Sequence, residues 1–175
     1  MENNMNTPIL NAIPEEVKIH VCYGSMTGNA EAIAKDLRCE LVEEYGKNID
    51  CVPLNEYSTT FHDWKEEQSV VLVICSTTGN GEHPENASRF WRKIKRRELK
   101  KDTLMGVKFA VLALGDTNYD KFCHAGKQIS ERLLALSGIP LIDLQCVDEV
   151  GGIEEPVEKW MSEIKEVISK LILDT

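Results

Sequence analysis

SVVLVIC, Ser69 to Cys75, is apolar at every position after its first residue. A strand that reads continuously apolar is covered on both faces, and such burial belongs to a parallel sheet flanked by helices. Outward from it, Lys108 to Leu114 (KFAVLAL) is a second continuous strand, and Val17 to Tyr23 (VKIHVCY) is a shorter β-prone run. Asn48 to Leu54 and Pro140 to Gln145 supply two more. Between the strands the apolar period becomes helical. Ala30 to Tyr45 repeats apolar residues at Ala30, Ile33, Ala34, Leu37, Leu41 and Val42, with Gly46 as its stop. Asn86 to Leu99, Phe122 to Leu136 and Ile153 to Leu173 follow the later strands. Asn55 to Gln68 is polar, with Phe61 and Trp64 three apart, which predicts a short helix anchored by its aromatics. The order βαβαβαβαβα specifies an α/β fold: a three-layer sandwich with a five-stranded parallel sheet, right-handed crossovers and helices on both faces.

The chain has 175 residues, 42% hydrophobic and 28% charged, as expected of one folded unit over residues 17–173 behind a polar N-terminal tail at 1–16. A net charge of -9 argues against a grip on nucleic acid, which depends on neutralising phosphates. No apolar run approaches the roughly 18 to 20 residues that span a bilayer, and Met1 to Asn6 lacks the pattern of a signal peptide, so no membrane association and a cytoplasmic location are expected. The six cysteines (Cys22, Cys39, Cys51, Cys75, Cys123, Cys146) form no C-x-x-C pair and read as reduced core residues, not a zinc site or disulfide framework. His20, His62, His83 and His124 show no metal-ligand spacing, and no metal site is expected.

Ligands of such sheets bind beyond the carboxyl ends of the strands, where the strand order reverses. Four loops stand there: Tyr23 to Asn29 (YGSMTGN), Ser76 to Glu82 (STTGNGE), Gly115 to Asp120 (GDTNYD) and Cys146 to Gly152 (CVDEVGG). The first runs straight into a helix, whose free N–H groups attract an anion, and Ser25, Thr27 and Asn29 add donors. It reads as a phosphate cradle, or else as a helix N-cap by Ser25 or Thr27. It lacks the Lys-Ser/Thr of a Walker A loop and the further glycines of G-x-G-x-x-G, so it suits a phosphate that is held and not cleaved. In the second loop Gly79 and Gly81 let the backbone approach a flat ligand closely. Tyr119 in the third is placed either to stack on such a ligand or to pack on its own loop.

Together these loops resemble the FMN-binding domain of the NADPH-dependent diflavin reductases, the cytochrome P450 reductase family with its flavodoxin-like fold. The matching words are S-M-T-G-N-A (Ser25 to Ala30), S-T-T-G-N-G (Ser76 to Gly81) and L-G-D-T-N-Y-x-x-F-C (Leu114 to Cys123). The resemblance covers about Val17 to Ile172. It implies that Ser25, Met26, Thr27, Gly28, Asn29 and Ala30 hold the FMN phosphate and that Ser76, Thr77, Thr78 and Gly79 flank the isoalloxazine ring. It further implies that Leu114, Gly115, Asp116, Asn118, Tyr119, Phe122 and Cys123 wrap the other side, with Tyr119 stacking. Asp148 falls near an acidic position beside the cofactor, with Glu149 a one-residue alternative. Cytochrome P450 reductase presents an aromatic where this chain has Thr78. S-T-T-G and F-C-x-x-G-K (Phe122 to Lys127) are similar to the methionine synthase reductase branch, and F-W-R-x-I (Phe90 to Ile94) resembles the cytosolic iron-sulfur assembly branch.

The implied activity is electron transfer: accepting electrons from an FAD/NADPH reductase domain, in cis or in trans, and passing them singly to an acceptor protein. A cobalamin-dependent methionine synthase, a heme protein or an iron-sulfur protein would fit. FAD and NADPH are expected only in other domains, which makes this chain a reductase module or a free-standing carrier, the module being favoured. Glu82, Glu85, Asp116, Asp120, Asp148 and Glu149 would give a negative rim that attracts a basic partner. Arg92, Lys93, Lys95, Arg96, Arg97, Lys100 and Lys101 read as the solvated side of a helix. No catalytic acid, base or nucleophile is expected. A phosphoryl-accepting receiver domain would need an Asp where Cys75 and Ser76 stand, and a serine hydrolase would need G-x-S-x-G.

Overall fold

In the computed structural model, residues 17–46 and 49–173 are described. The polar tail at 1–16 and the predicted strand start at Asn48 lie outside them. The elements are β1 (Ile19–Gly24), α1 (Asn29–Tyr45), β2 (Ile49–Pro53), a 3-10 turn (Leu54–Tyr57), α2 (Asp63–Glu66), β3 (Val70–Ser76), α3 (Glu85–Ile94), β4 (Lys108–Gly115), α4 (His124–Ala135), β5 (Ile139–Pro140), β6 (Gln145–Asp148) and α5 (Glu154–Leu173). Every strand pairing is parallel, in the order β2-β1-β3-β4, and β5 and β6 share the fifth position by both pairing with β4.

β3 is buried along its whole length, as its continuous apolar run predicts. Alternate residues go to opposite faces. Val70, Leu72 and Ile74 join the core under α1 and α5 with Leu37, Leu41, Trp160 and Ile164. Val71, Val73 and Cys75 join the core under α3 and α4 with Phe90, Ile94, Ile129 and Leu133. Each large aliphatic side chain so buried contributes about 1.5 to 3 kcal/mol. The registers end flush, with Gly24 opposite Cys75, Ser76 opposite Leu114 and Gly115 opposite Asp148. All four suspected loops therefore leave on one rim, on either side of the place where the strand order reverses at β1.

The expected fifth strand at Pro140 to Gln145 is corrected. Pairing with β4 stops after Pro140 and resumes at Gln145, so the stretch between is a detour off the ladder. Leu141, Ile142 and Leu144 are partly buried against the two cores, which is why an unpaired segment reads as a strand. The predicted helix of 55–68 shrinks to the 3-10 turn and the single turn of α2, while Phe61 and Trp64 are buried as expected. α3 ends at Ile94 instead of Leu99, where Arg132 donates to the carbonyls of Ile94 (2.7 Å) and Arg96 (2.6 Å). That places Lys95, Arg96, Arg97, Lys100 and Lys101 on exposed turns and not on a helix face. Cys22, Cys75 and Cys123 are buried and Cys51 and Cys146 partly so, but Cys39 is exposed on α1, against the core expectation.

Candidate functional site

The first loop is held from beneath. Ser25 N–H donates to Asn86 Oδ1 on α3 (2.9 Å), and Gly28 N–H donates to Ser25 Oγ (3.0 Å). Gly28 is the N-cap of α1, at φ 102°, a conformation that a residue with Cβ adopts only at a cost. It has no side chain, and no hydroxyl of the loop caps α1. The N-cap alternative for Ser25 or Thr27 is therefore overturned, and the end of α1 stays open to an anion. Met26 and Thr27 are exposed beside it, whereas Ala30 is wholly buried.

The second loop closes on itself. Thr78 and Glu82 exchange backbone hydrogen bonds (2.9 and 2.8 Å), and the Thr78 hydroxyl donates to the Glu82 carbonyl (3.2 Å). Thr77 Oγ1 accepts from Ala125 N–H at the start of α4 (3.3 Å). Ser76 Oγ, at the carboxyl end of β3, is buried without a hydrogen-bond partner. A buried hydroxyl left unpaired costs about 1 to 3 kcal/mol, so it marks a place where a polar ligand atom is wanted.

The third and fourth loops are tied together by Asp148. Its carboxylate accepts from Thr117 N–H (3.3 Å), Thr117 Oγ1 and Val150 N–H (3.1 Å). The Thr117 hydroxyl first, then the Val150 amide, hold that carboxyl below its usual range. Asp116 folds its own loop by accepting from Asn118 N–H (2.7 Å), which leaves Tyr119 63% exposed. Glu149 accepts from Asn29 Nδ2 (2.8 Å), linking the fourth loop to the first.

Between these loops lies a cleft of about 300 Å³ lined by Thr77, Gly79, Asp116, Tyr119, Lys121 and Glu149. Thr77, Gly79, Asp116 and Tyr119 were expected there from sequence. Leu114 and Cys123 are wholly buried, so they can reach the cleft only through backbone, and Phe122 sits under the ammonium of Lys127. Of the two acidic alternatives, Glu149 lines the cleft and Asp148 braces it. Lys121, Thr117 and Asn86 were not singled out in the sequence. Thr117 lies inside a quoted motif, but Asn86 acts across 61 positions, a distance no local pattern reveals.

A longer groove of about 730 Å³ runs between α1 and α5, lined in part by Ile33, Asp36, Glu40, Val157 and Met161, and meets the first loop at Asn29. Its polar lining is mainly acidic, with Asp36, Glu40, Glu154 and Glu158, and apart from Asn29 it includes no residue of the four loops. Glu82, Glu85 and Asp120 are exposed around that cleft, with Asp116, Asp148 and Glu149 half-buried, so the expected acidic rim forms at this end of the sheet. Among the described residues no helix is long and apolar enough to cross a membrane.

The flavodoxin family model matches residues 21–160. Methionine synthase reductase of Bos taurus is 33% identical over 151 residues, which cover 86% of this chain and 21% of the relative. NADPH-dependent diflavin oxidoreductase 1 of Xenopus laevis is 34% identical over 146 residues, covering 82% of this chain and 24% of the relative. This chain thus spans about a fifth to a quarter of the length of these curated relatives. Among solved structures, a flavodoxin variant from Pseudomonas aeruginosa superposes with a TM-score of 0.69 at 26% identity, covering 86% of this chain and 97% of that one. Flavodoxin 1 of Bacillus cereus, at 22% identity and a TM-score of 0.67, shares the fold over the same fractions.

Proposed function

The chain belongs to the flavodoxin family, and from that premise we propose that it is the FMN-binding, electron-transferring module of an NADPH-dependent diflavin reductase similar to methionine synthase reductase. The relatives named for diflavin chemistry support this reading. The observation that carries it is the set of unfilled polar groups on one rim: the uncapped start of α1, the orphaned Ser76 hydroxyl and the exposed Tyr119. These fit a ligand with a phosphate at one end and a flat polar ring at the other.

Ser25, Met26, Thr27, Gly28, Asn29 and Ala30 would hold the phosphate through the amides at the start of α1 and through their hydroxyl and amide side chains. Ser76, Thr77, Thr78 and Gly79 would border one edge of the ring, and Gly115, Asp116, Asn118 and Tyr119 the other. When bound, FMN supplies the exchange of paired electrons for single ones. Tyr119 offers a stacking face, while Thr78, its hydroxyl already spent on Glu82, offers only a small side chain where an aromatic would cover more. The acidic rim would orient a basic surface of the electron acceptor and raise its encounter rate. Residues 17–173 would form the folded module. The FAD/NADPH reductase domain would act as donor, and a cobalamin-dependent methionine synthase, a heme protein or an iron-sulfur protein as acceptor. The diflavin oxidoreductase 1 match also favours a module of that relative.

The test is a visible absorption spectrum of the purified protein, with FMN titrated into the stripped form and heat-released flavin identified by chromatography. FMN bound one to one supports the reading. A protein that ignores FMN sinks it.

A further inference from the structure

Two cysteines stand at neighbouring places behind the third and fourth loops. Cys123, the N-cap of α4 at φ 55°, is wholly buried, and its Sγ lies 3.3 Å from the Ala113 carbonyl and 3.7 Å from the Val147 carbonyl. Ala113 on β4 is the register partner of Cys146 on β6, and Val147 is the residue after Cys146. Cys123 Sγ thus sits over the ladder at the one rung that carries the second cysteine. Cys146 is half-buried, whereas Cys123 is wholly buried. The neighbouring Cys123, then the positive Lys127, pull the Cys146 thiol below its ordinary range, while Cys146 in turn and burial push Cys123 up. One thiol of the pair is set to attack and the other to resolve.

We propose that Cys123 and Cys146 form a reversible disulfide by exchange with a small-molecule disulfide such as oxidised glutathione, and that this bond staples together the two walls of the cleft. The Cys146 thiolate attacks one glutathione sulfur, the glutathione S–S bond breaks, and one glutathione thiolate leaves and takes up the proton given by Cys146. The Cys123 thiol then loses its proton and attacks the Cys146 sulfur of the mixed disulfide, expelling the second glutathione as a thiol. Two protein thiols are oxidised and one glutathione disulfide is reduced to two thiols.

The bond would act on the cleft through short connections. A Cβ on Gly115 would lie 2.5 Å from Cys123 N and 3.1 Å from its Sγ, so any shift of Cys123 is felt by the third loop at its first residue. On the other side Cys146 stands two residues before Asp148, whose carboxylate braces Thr117 of that same loop. The cross-link would therefore set the spacing between the walls that hold Tyr119 and Glu149. This second part rests on the FMN reading. The cross-link itself does not.

Flavin-free protein is incubated with oxidised glutathione and digested with trypsin without reductant. The expected product is peptide 122–127 joined to peptide 133–159, a link that dithiothreitol abolishes. In Cys123→Ala the reaction stops with glutathione attached to Cys146, and in Cys146→Ala Cys123 remains a free thiol. Exposed Cys39 reports that the reagent is active in every sample. If the unaltered protein instead carries glutathione on Cys146 with no joined peptide, the proposal is overturned. FMN titrations of the reduced and cross-linked forms are expected to give dissociation constants that differ at least about fivefold. Equal constants would overturn the coupling to the cleft. Failure of the reduced form to bind FMN at all would remove the cofactor reading and leave the joined peptide standing.

Discussion

The two ends of the sheet treat polar groups in opposite ways. At the amino end, His20 of β1 is 4% exposed, yet both ring nitrogens are engaged: Ser69 Oγ lies 3.1 Å from Nε2 and Tyr57 Oη 2.7 Å from Nδ1. Asp50 and Glu67 stand just beyond, at 3.4 and 3.5 Å, and Lys18 pairs with Glu67. Trp64 Nε1, buried among the neighbouring rings, is the exception to this saturation. At the carboxyl end the first helix starts uncapped, the Ser76 hydroxyl is buried alone, and Tyr119 projects into solvent. A cluster of His, Tyr, Ser and carboxylates looks like chemistry on paper, but a saturated cluster has nothing left to give a ligand. On the proposed reading the unsaturated end is the one that binds the cofactor.

The sharpest way to break this contrast is Thr27→Asp. A carboxylate at the open end of α1 competes for the amides and repels phosphate, so the FMN dissociation constant is expected to rise at least about 100-fold, or ~2.7 kcal/mol. The same carboxylate favours the positive end of the helix, so the thermal midpoint should hold or rise. Calorimetric titration and a melting curve read the two effects separately. At the other end, His20→Leu strips partners from Ser69 and Tyr57, and a loss of about 1 to 3 kcal/mol in urea unfolding is expected with FMN affinity unchanged. An affinity loss there would erase the distinction between the ends.

How much of this was legible in the sequence depends on how local the signal is. β3 and β4 announce themselves because burial on both faces leaves no polar residue from Val70 to Cys75 or from Phe109 to Leu114, and the four loops carry their glycines and hydroxyls in plain view. The detour between Pro140 and Gln145 was not legible, since Leu141, Ile142 and Leu144 are apolar for packing without being paired. Nor was the saturation of His20, whose partner Ser69 lies 49 positions away, or the exchange of roles between Asp148 and Glu149. Adjacent carboxylates are told apart only by what each one reaches.

Two smaller effects sharpen the contrast further. Ser76→Ala removes an unpaired buried hydroxyl, so the flavin-free protein is expected to gain up to about 1 kcal/mol while FMN affinity falls roughly tenfold. Loss of both, measured by urea unfolding and titration, would make Ser76 a structural hydroxyl. His83, stacked on Trp91 next to the second loop, titrates at about 4 against an ordinary 6.5, because burial disfavours its charged form. The unfolded chain then takes up the proton first, so this contribution is fully present above pH 6.5 and is lost as the pH falls from 6.5 to about 4. In His83→Gln the decline of the thermal midpoint across that interval should be shallower than in the unaltered protein.

The interrupted outer edge of the sheet has a mechanical meaning. β5 holds β4 through two register pairs and β6 through four, whereas β3 grips β4 through seven. Tension that had peeled the buried face of α5 from the core would next fall on the four-rung ladder of β6, like a zipper pulled from its shorter end. Glu149, one residue beyond β6, would leave with it, so the wall of the cleft nearest the pull is also its weakest seam.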